Sequence, residues 1–271
     1  MALLKTLPHK KWGQNFLVDA HAMEMVVHAA EPTDKDHVIE IGTGLATLTE
    51  LLATKAKTVT SFEIDPVLAG AARAFVSVHK NVTVIAGDFL KENLKAFARK
   101  PFKVVSNLPY NIPSPVLEKL YETGGPSPTL AVMTIQKEVA QRLTASPGTK
   151  DYGSITVILR ALTDIRIVGN IGPTSFTPQP NVTSSVIAIN RLDKSIVPAK
   201  EWPLFRAIVR SGFNQRRKKL SNALHSVAAL TSQPRALMDA SQATGISLDR
   251  RAETLSVEEF AALTHAAASR L

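Results

Sequence analysis

Cysteine is absent from the 271 residues. That excludes disulfide staples, a thiolate metal site and a cysteine nucleophile. The seven histidines show no HExxH-like spacing, so a protein-bound metal is not expected. Long apolar runs are lacking as well: none approaches the roughly 18 residues that a bilayer crossing requires. The opening MALLKTLPHKKWGQNF has no apolar signal-peptide core, which points to a cytoplasmic protein. There are no internal repeats or low-complexity tracts.

Acidic residues are outnumbered, 23 against 32 Lys and Arg, for a net charge of +9. The excess is uneven. Residues 1–190 carry 19 basic and 16 acidic side chains, whereas residues 191–271 carry 13 and 7. A basic segment attached to a nearly neutral one is the footprint of a polyanionic partner such as nucleic acid.

Strand-like and helix-like runs alternate through the larger part. HVIEIG (37–42), TVTSFEI (58–64), NVTVIAGD (81–88), FKVVSNL (102–108) and LAVMTIQ (130–136) read as strands, with helices expected over 45–56, 66–78, 91–98 and 114–122. Such alternation builds a parallel sheet with helices on both faces, joined by right-handed crossovers. IRIVGNI and SSVIAINRL, separated by a Pro-rich loop, suit an antiparallel pair at one edge. The expected class is therefore α/β, a Rossmann-like sheet over residues 1–192. A linker near 192–200 then leads into a small all-helical domain over 200–271.

EIGTGLATLTE (40–50) follows a strand and opens a helix. Gly42 and Gly44 allow a ligand close to the backbone, and the helix turns its positive end toward it. A dinucleotide fingerprint would need a third glycine where Thr47 stands. A nucleoside cofactor without a pyrophosphate fits better. Glu63, 21 residues past Gly42 at a strand end, is placed to accept both hydroxyls of a ribose. Asp88 is placed to accept an adenine amino group, and the apolar neighbours Ile64 and Phe89 complete this edge. The arm at 12–17 contributes Gln14 and Asn15, two amides expected to fold over the bound cofactor.

On the same edge, NLPY ends the fourth strand. It resembles the (Asn/Asp/Ser)-x-Pro-(Tyr/Phe) motif of methyltransferases that act on exocyclic amines. Asn107 and the Leu108 carbonyl would each accept a hydrogen from adenine N6, Pro109 would hold that carbonyl in place, and Tyr110 would stack on the base. Phe176, in FTPQPNV, would cover the other face of the extruded base.

Over nearly its whole length the chain resembles the bacterial small-subunit rRNA adenine N6,N6-dimethyltransferases, the kasugamycin-resistance methyltransferases. The matching pieces are GQNFL, EIGTGLATLT, FEID, GDFL, NLPYNI, QKEVAQRL, DYGS, FTPQPNVTSS and FNQRRKKLSNAL, in that order. The resemblance implies S-adenosyl-L-methionine as cofactor, contacted by Asn15, Leu17, Gly42, Glu63, Asp88 and Asn107. It implies base handling by residues 107–110 and Phe176. The implied substrate is a pair of adjacent adenosines in the 3′-terminal hairpin of 16S rRNA, each methylated twice. Thr43, Ala46 and Ala252 depart from residues frequent in that family.

In the basic tail, PLFRAIVRSGFNQRRKKLSNAL (203–224) reads as one helix, on which Arg206, Arg210 and Arg217 fall within roughly 40° of each other. With Arg216, Lys218 and Lys219 they form the expected RNA-binding face. No membrane partner is expected, and nothing requires a dimer. The alternatives are a 23S rRNA dimethyltransferase of the macrolide-resistance type, a DNA adenine methyltransferase, a non-catalytic ribosome-assembly factor and, least supported, a nicotinamide-dependent oxidoreductase.

Overall fold

A computed structural model describes residues 14–98, 101–121 and 125–271. In chain order its strands are β1 (Phe16–Leu17), β2 (His37–Ile41), β3 (Thr58–Glu63), β4 (Val82–Ala86), β5 (Phe102–Asn107), β6 (Leu130–Gln136), β7 (Thr163–Ile171), β8 (Phe176–Thr177) and β9 (Ser184–Arg191). Among the described residues seven of them form one sheet in the order β4-β3-β2-β5-β6-β9-β7, and β1 pairs with β8 in a separate two-stranded sheet. The pairs β2–β3, β3–β4, β2–β5 and β5–β6 are parallel. β9 runs antiparallel to β6, with Met133 opposite Ile187. The antiparallel strand at this side of the sheet agrees with the sequence reading.

This order has a consequence for binding. From β2 the chain moves outward through β3 to β4 and then returns to the other side of β2 as β5. The β2–β5 boundary is a topological switch point, where the loops leave in opposite directions and open a crevice at the strands' carboxyl ends.

The helices of this part are α1 (Ala20–Ala30), α2 (Thr47–Ala53), α3 (Pro66–Phe75), α4 (Leu94–Phe97) and α5 (Pro113–Leu120). Their starts follow from side-chain chemistry. Asp19 accepts the Ala22 N–H at 2.9 Å, Asp65 accepts Val67 N–H at 2.8 Å, and prolines occupy the first turn of α3 and α5. α1 buries Met23, Val26, Val27 and Ala30 against Val105, Val132, Val186 and Ala188 of the sheet. The helix expected over 91–98 is reduced to α4, because Asn93 caps Lys95 N–H at 3.1 Å and the preceding residues form a closed turn.

Two compact units result. One takes the chain through Ala140 together with Ile165–Arg191; the other takes Gln141–Asp164 together with Leu192–Leu271. The expected boundary at 192 coincides with a division between the units, but 141–164, expected with the sheet, groups with the C-terminal helices. The reason is apolar burial. Tyr152, Val157 and Ala161 share one core with Trp202, Phe205 and Phe260, and the buried Tyr152 hydroxyl donates to Leu255 O at 2.9 Å. The second unit holds α6 (Lys137–Thr144, which crosses the boundary), α7 (Ser154–Arg160), α8 (Trp202–Asn214), α9 (Leu220–Ala223), α10 (Ala228–Ser232), α11 (Pro234–Thr244) and α12 (Val257–Ala268).

The single helix expected over 203–224 is broken after Asn214. Leu220 N–H and Ser221 N–H go instead to Arg250 O (2.8 Å) and Leu248 O (3.0 Å), and Lys219 bridges to Arg251. Once its amides are spent on a distant segment, this stretch cannot continue the helix.

Candidate active site

At the switch point lies a cleft of about 230 Å³. Its wall includes Gln14, Asn15, Leu17, Gly42, Gly44, Glu63, Ile64, Asp88, Phe89 and Asn107. All ten residues that the sequence suggested for the cofactor thus meet in one cavity. Trp12 and Gly13 of the arm lie outside the described residues.

The loop after β2 needs its glycines. Gly42 has φ +88°, and a Cβ there would lie 3.5 Å from Pro109 Cδ and 3.6 Å from Asn107 O. Gly44 has φ +53°, and its Cβ would come within 2.9 Å of the Phe16 ring. At Gly42 the positive φ is what favours glycine, since a Cβ there would make only ordinary contacts, whereas at Gly44 a side chain would collide with the N-terminal arm. Ala46 also adopts a left-handed conformation, φ +62°.

Glu63 is 3% exposed. Its Oε2 accepts Gly44 N–H at 2.8 Å and its Oε1 accepts Asp65 N–H at 3.0 Å. Burial holds this carboxyl above its ordinary range, against the pull of those two N–H donors. Each oxygen keeps a further lone pair, enough for a vicinal diol. Asp88 Oδ1 accepts Leu90 N–H at 3.0 Å, which leaves Oδ2 as a ligand acceptor.

Among the cleft residues not singled out from the sequence, Glu40 is the one with the most to explain. Glu40 of β2 is 1% exposed, and its Oε2 accepts the hydroxyls of Thr49 and Ser61, both at 2.6 Å. Thr43 Oγ1 lies 2.5 Å from Ser61 Oγ and extends the network. Burial pushes the Glu40 carboxyl up to about 8, with the nearby Glu63 acting in the same direction. The signal was visible, because a glutamate inside the apolar strand HVIEI demands an explanation. Asn111 and Ile112 also line the cleft without having been singled out.

On the β5 side, Asn107 Nδ2 donates to Asn15 O at 2.9 Å, and Oδ1 is buried without a hydrogen-bond partner among the described residues. Leu108 is fixed by its N–H to Thr134 O at 3.2 Å, while Pro109 O accepts Ile112 N–H at 3.2 Å. The half-buried Tyr110 has its hydroxyl 2.6 Å from Ser184 Oγ. A buried acceptor with no donor costs about 1–3 kcal/mol, so Asn107 Oδ1 is a position prepared for a donor from outside the chain.

Residues 6–269 match the ribosomal RNA adenine dimethylase family. The chain belongs to that family. It is similar to the ribosomal RNA small subunit methyltransferase A of Caldanaerobacter subterraneus subsp. tengcongensis, with 41% identity over 95% of this chain and 96% of that protein. It is equally similar to the enzyme of the same name from Bacillus cytotoxicus, with 41% identity over 95% and 90%. Among solved structures it resembles the 23S rRNA methyltransferase ErmE, with 27% identity, TM-score 0.72, and coverage of 93% and 99%. A dimethyladenosine transferase from Plasmodium falciparum shares the fold, with TM-score 0.74, 23% identity, and coverage of 92% and 95%. As a family member the chain is an S-adenosyl-L-methionine-dependent rRNA adenine dimethyltransferase. Two carboxylates, Glu63 and Asp88, beside a loop with two positive-φ glycines line the cleft, a donor and acceptor set that fits that cofactor.

Two sets of expected site residues are placed differently by the structure. Phe176 is 3% exposed and shares a core with Leu17, Met23 and Val27, because β8 is paired with β1. Like Leu108 and Tyr110, it is not among the residues that line the cleft. In the C-terminal unit, Arg206 and Arg210 share one face of α8, but Arg217 lies beyond its end, so the stripe is not continuous. Arg216 turns inward: Nε pairs with the Glu253 carboxylate, Nη1 donates to Lys150 O at 2.8 Å and Nη2 to Thr149 O at 2.9 Å. It serves as a tether. Lys219 pairs with Asp249 at 2.9 Å on the surface, while Arg217 and Lys218 are exposed.

Proposed function

We propose that the protein transfers methyl groups to N6 of two adjacent adenosines in the 3′-terminal hairpin of 16S rRNA. It would act on the small ribosomal subunit or its precursor, in the cytoplasm and as a monomer. The observation that carries the chemistry is the divided amide of Asn107. Its nitrogen is held by Asn15 O, and its oxygen is buried and free to accept. The choice of subunit rests on the similarity to small subunit methyltransferases over nearly the whole chain.

When bound, the cofactor supplies a methyl sulfonium already activated for transfer. The protein's part is to make a weak nucleophile available. The N6 lone pair of adenine is delocalised into the ring. Asn107 Oδ1 and the Leu108 carbonyl accept the two N6 hydrogens and draw the nitrogen toward tetrahedral geometry. Pro109 limits the backbone at that carbonyl, and Tyr110, anchored on Ser184, presents its ring to the base. No residue need remove a proton before attack, because the proton is lost from the alkylated nitrogen afterwards. Such positioning can contribute roughly 7–11 kcal/mol.

Incubating purified small and large subunits with labelled cofactor tests the reading. Label is expected in the small subunits alone, and Asn107→Ala should lower its incorporation by about a hundredfold or more while leaving subunit binding nearly unchanged. Label in large subunits would support the 23S alternative that the likeness to ErmE raises. Near wild-type transfer by Asn107→Ala would refute the amine-orienting role.

A further inference from the structure

We infer that Lys119 is a positioning residue for the adenine end of the cofactor, acting through the turn that carries Asp88. The inference rests on the reading of Asp88 as acceptor of the adenine amino group. α5 begins just past the NLPY turn, and Lys119 lies in its last turn. Its half-buried Nζ donates to Leu90 O at 2.8 Å and to Glu92 O at 2.7 Å, and it stands 5.6 Å from the centroid of the Phe89 ring. Among the described residues no carboxylate pairs with this ammonium. Two of its three donor hydrogens go to one turn, and its charge is set against the face of that turn's aromatic ring.

Leu90 is the link. Its carbonyl accepts from Lys119, and its N–H donates to Asp88 Oδ1 at 3.0 Å. The turn closes on itself through Lys91 N–H to Asp88 O at 2.8 Å and Glu92 N–H to Phe89 O at 3.3 Å. Gly87 sits tightly under it, since a Cβ there would lie 3.0 Å from Glu92 Oε1. Removing the ammonium leaves two carbonyls of this turn without their charged donor and loosens the Leu90–Lys91 peptide, which adjoins the one whose N–H orients Asp88 and itself donates to Asp88 O. A lysine that only held α5 in place would change stability. One that sets Asp88 changes how well the site tells an amino group from another substituent at adenine C6.

Calorimetry with S-adenosylhomocysteine and S-inosylhomocysteine, which carries a carbonyl in place of that amino group, separates these roles. The wild type is expected to prefer the adenosyl compound by about tenfold or more, the value of one positioned hydrogen bond with a charged acceptor. In Lys119→Met the preference should shrink to about threefold or less, through weaker adenosyl binding at unchanged inosyl affinity. Lys119→Arg, which keeps the charge and can bridge two carbonyls, should retain most of it. Should Lys119→Met fail to fold, Lys119→Gln gives the same reading with an uncharged donor. A folded Met or Gln variant with the full wild-type preference overturns the role of Lys119 alone. A wild type with no preference overturns the reading of Asp88 and this inference with it.

Discussion

Glu63 and Arg216 are both charged, both spend hydrogen bonds on the backbone, and both come from recognisable sequence motifs. In the cleft, Glu63 takes one N–H on each oxygen and still lines an open cavity. In the helical unit, Arg216 divides its guanidinium among Glu253, Lys150 and Thr149. A carboxylate has about four lone-pair sites and remains an acceptor after two are used, whereas the partly exposed Arg216 guanidinium has its charge paired with Glu253 and its fork occupied. The difference shows that a charged residue at the end of a strand can hold the fold and still keep acceptor capacity toward a cavity. A charged residue in a turn bridging distant segments serves the fold alone.

The largest effect that would sharpen this contrast concerns Glu40. Its carboxyl, ordinarily near 4.5, titrates at about 8 in the folded protein. Between those values the unfolded chain has lost the proton that the native state keeps, so stability falls as pH rises through this window, by up to about 1.4 kcal/mol per pH unit. Glu40→Gln keeps an acceptor for Thr49 and Ser61 and has no charge to bury. Chemical denaturation from pH 5 to 9 should give a declining stability for the wild type and a flatter one for the variant. Equal slopes would mean that Glu40 is ionised in the native state.

Next in size is the cofactor site. Glu63→Ala should weaken S-adenosyl-L-methionine binding by roughly 1.5–3 kcal/mol, the range for hydrogen bonds to a charged acceptor. Calorimetry measures this directly. Because the same side chain holds Gly44 N–H, the ligand-free variant should also melt at a lower temperature. Unchanged affinity in a folded variant would remove Glu63 from the ribose site.

The smaller effects divide the two neighbouring arginines. Arg216→Ala should cost about 1 kcal/mol of stability, since its ion pair with Glu253 is only partly buried and water can take over the two carbonyls. Arg217→Ala should leave stability within about 0.5 kcal/mol and flatten the salt dependence of subunit binding by roughly 0.7–0.9 in slope for each phosphate no longer neutralised. Denaturation curves and binding at several salt concentrations should therefore rank the two in opposite orders. The same order in both would erase the distinction between tether and anchor.

The cleft was legible because a parallel sheet makes strand ends converge. Once HVIEI, TVTSFE and FKVVSN are read as adjacent strands, Gly42, Glu63 and Asn107 must meet whatever the helices do. Periodicity carried much less in the tail. The amides at Leu220 and Ser221 bond to residues 30 and 27 positions later, and the Arg216 guanidinium reaches back 66 and 67 positions to Lys150 and Thr149. No local pattern announces such partners, so the helix was drawn too long and its stripe too straight. The burial of Phe176 was hidden for a related reason: an aromatic in a Pro-rich loop reads as exposed until the pairing of β8 with β1 places it in the core. Lys119, whose contacts are carbonyls, leaves no complementary charge in the sequence to find.

The bond from Asn107 to the N-terminal arm ends on the main-chain oxygen of Asn15. Every amino acid carries that oxygen, so this contact places no demand on which side chain occupies position 15. It does demand a register: the arm must present that one carbonyl at the right count from the β1–β8 pairing at Phe16 and Leu17. Amino-acid exchanges at position 15 would pass through this contact unnoticed. Inserting a single residue between it and β1 would draw that carbonyl away from the Asn107 amide without altering any residue of the NLPY turn.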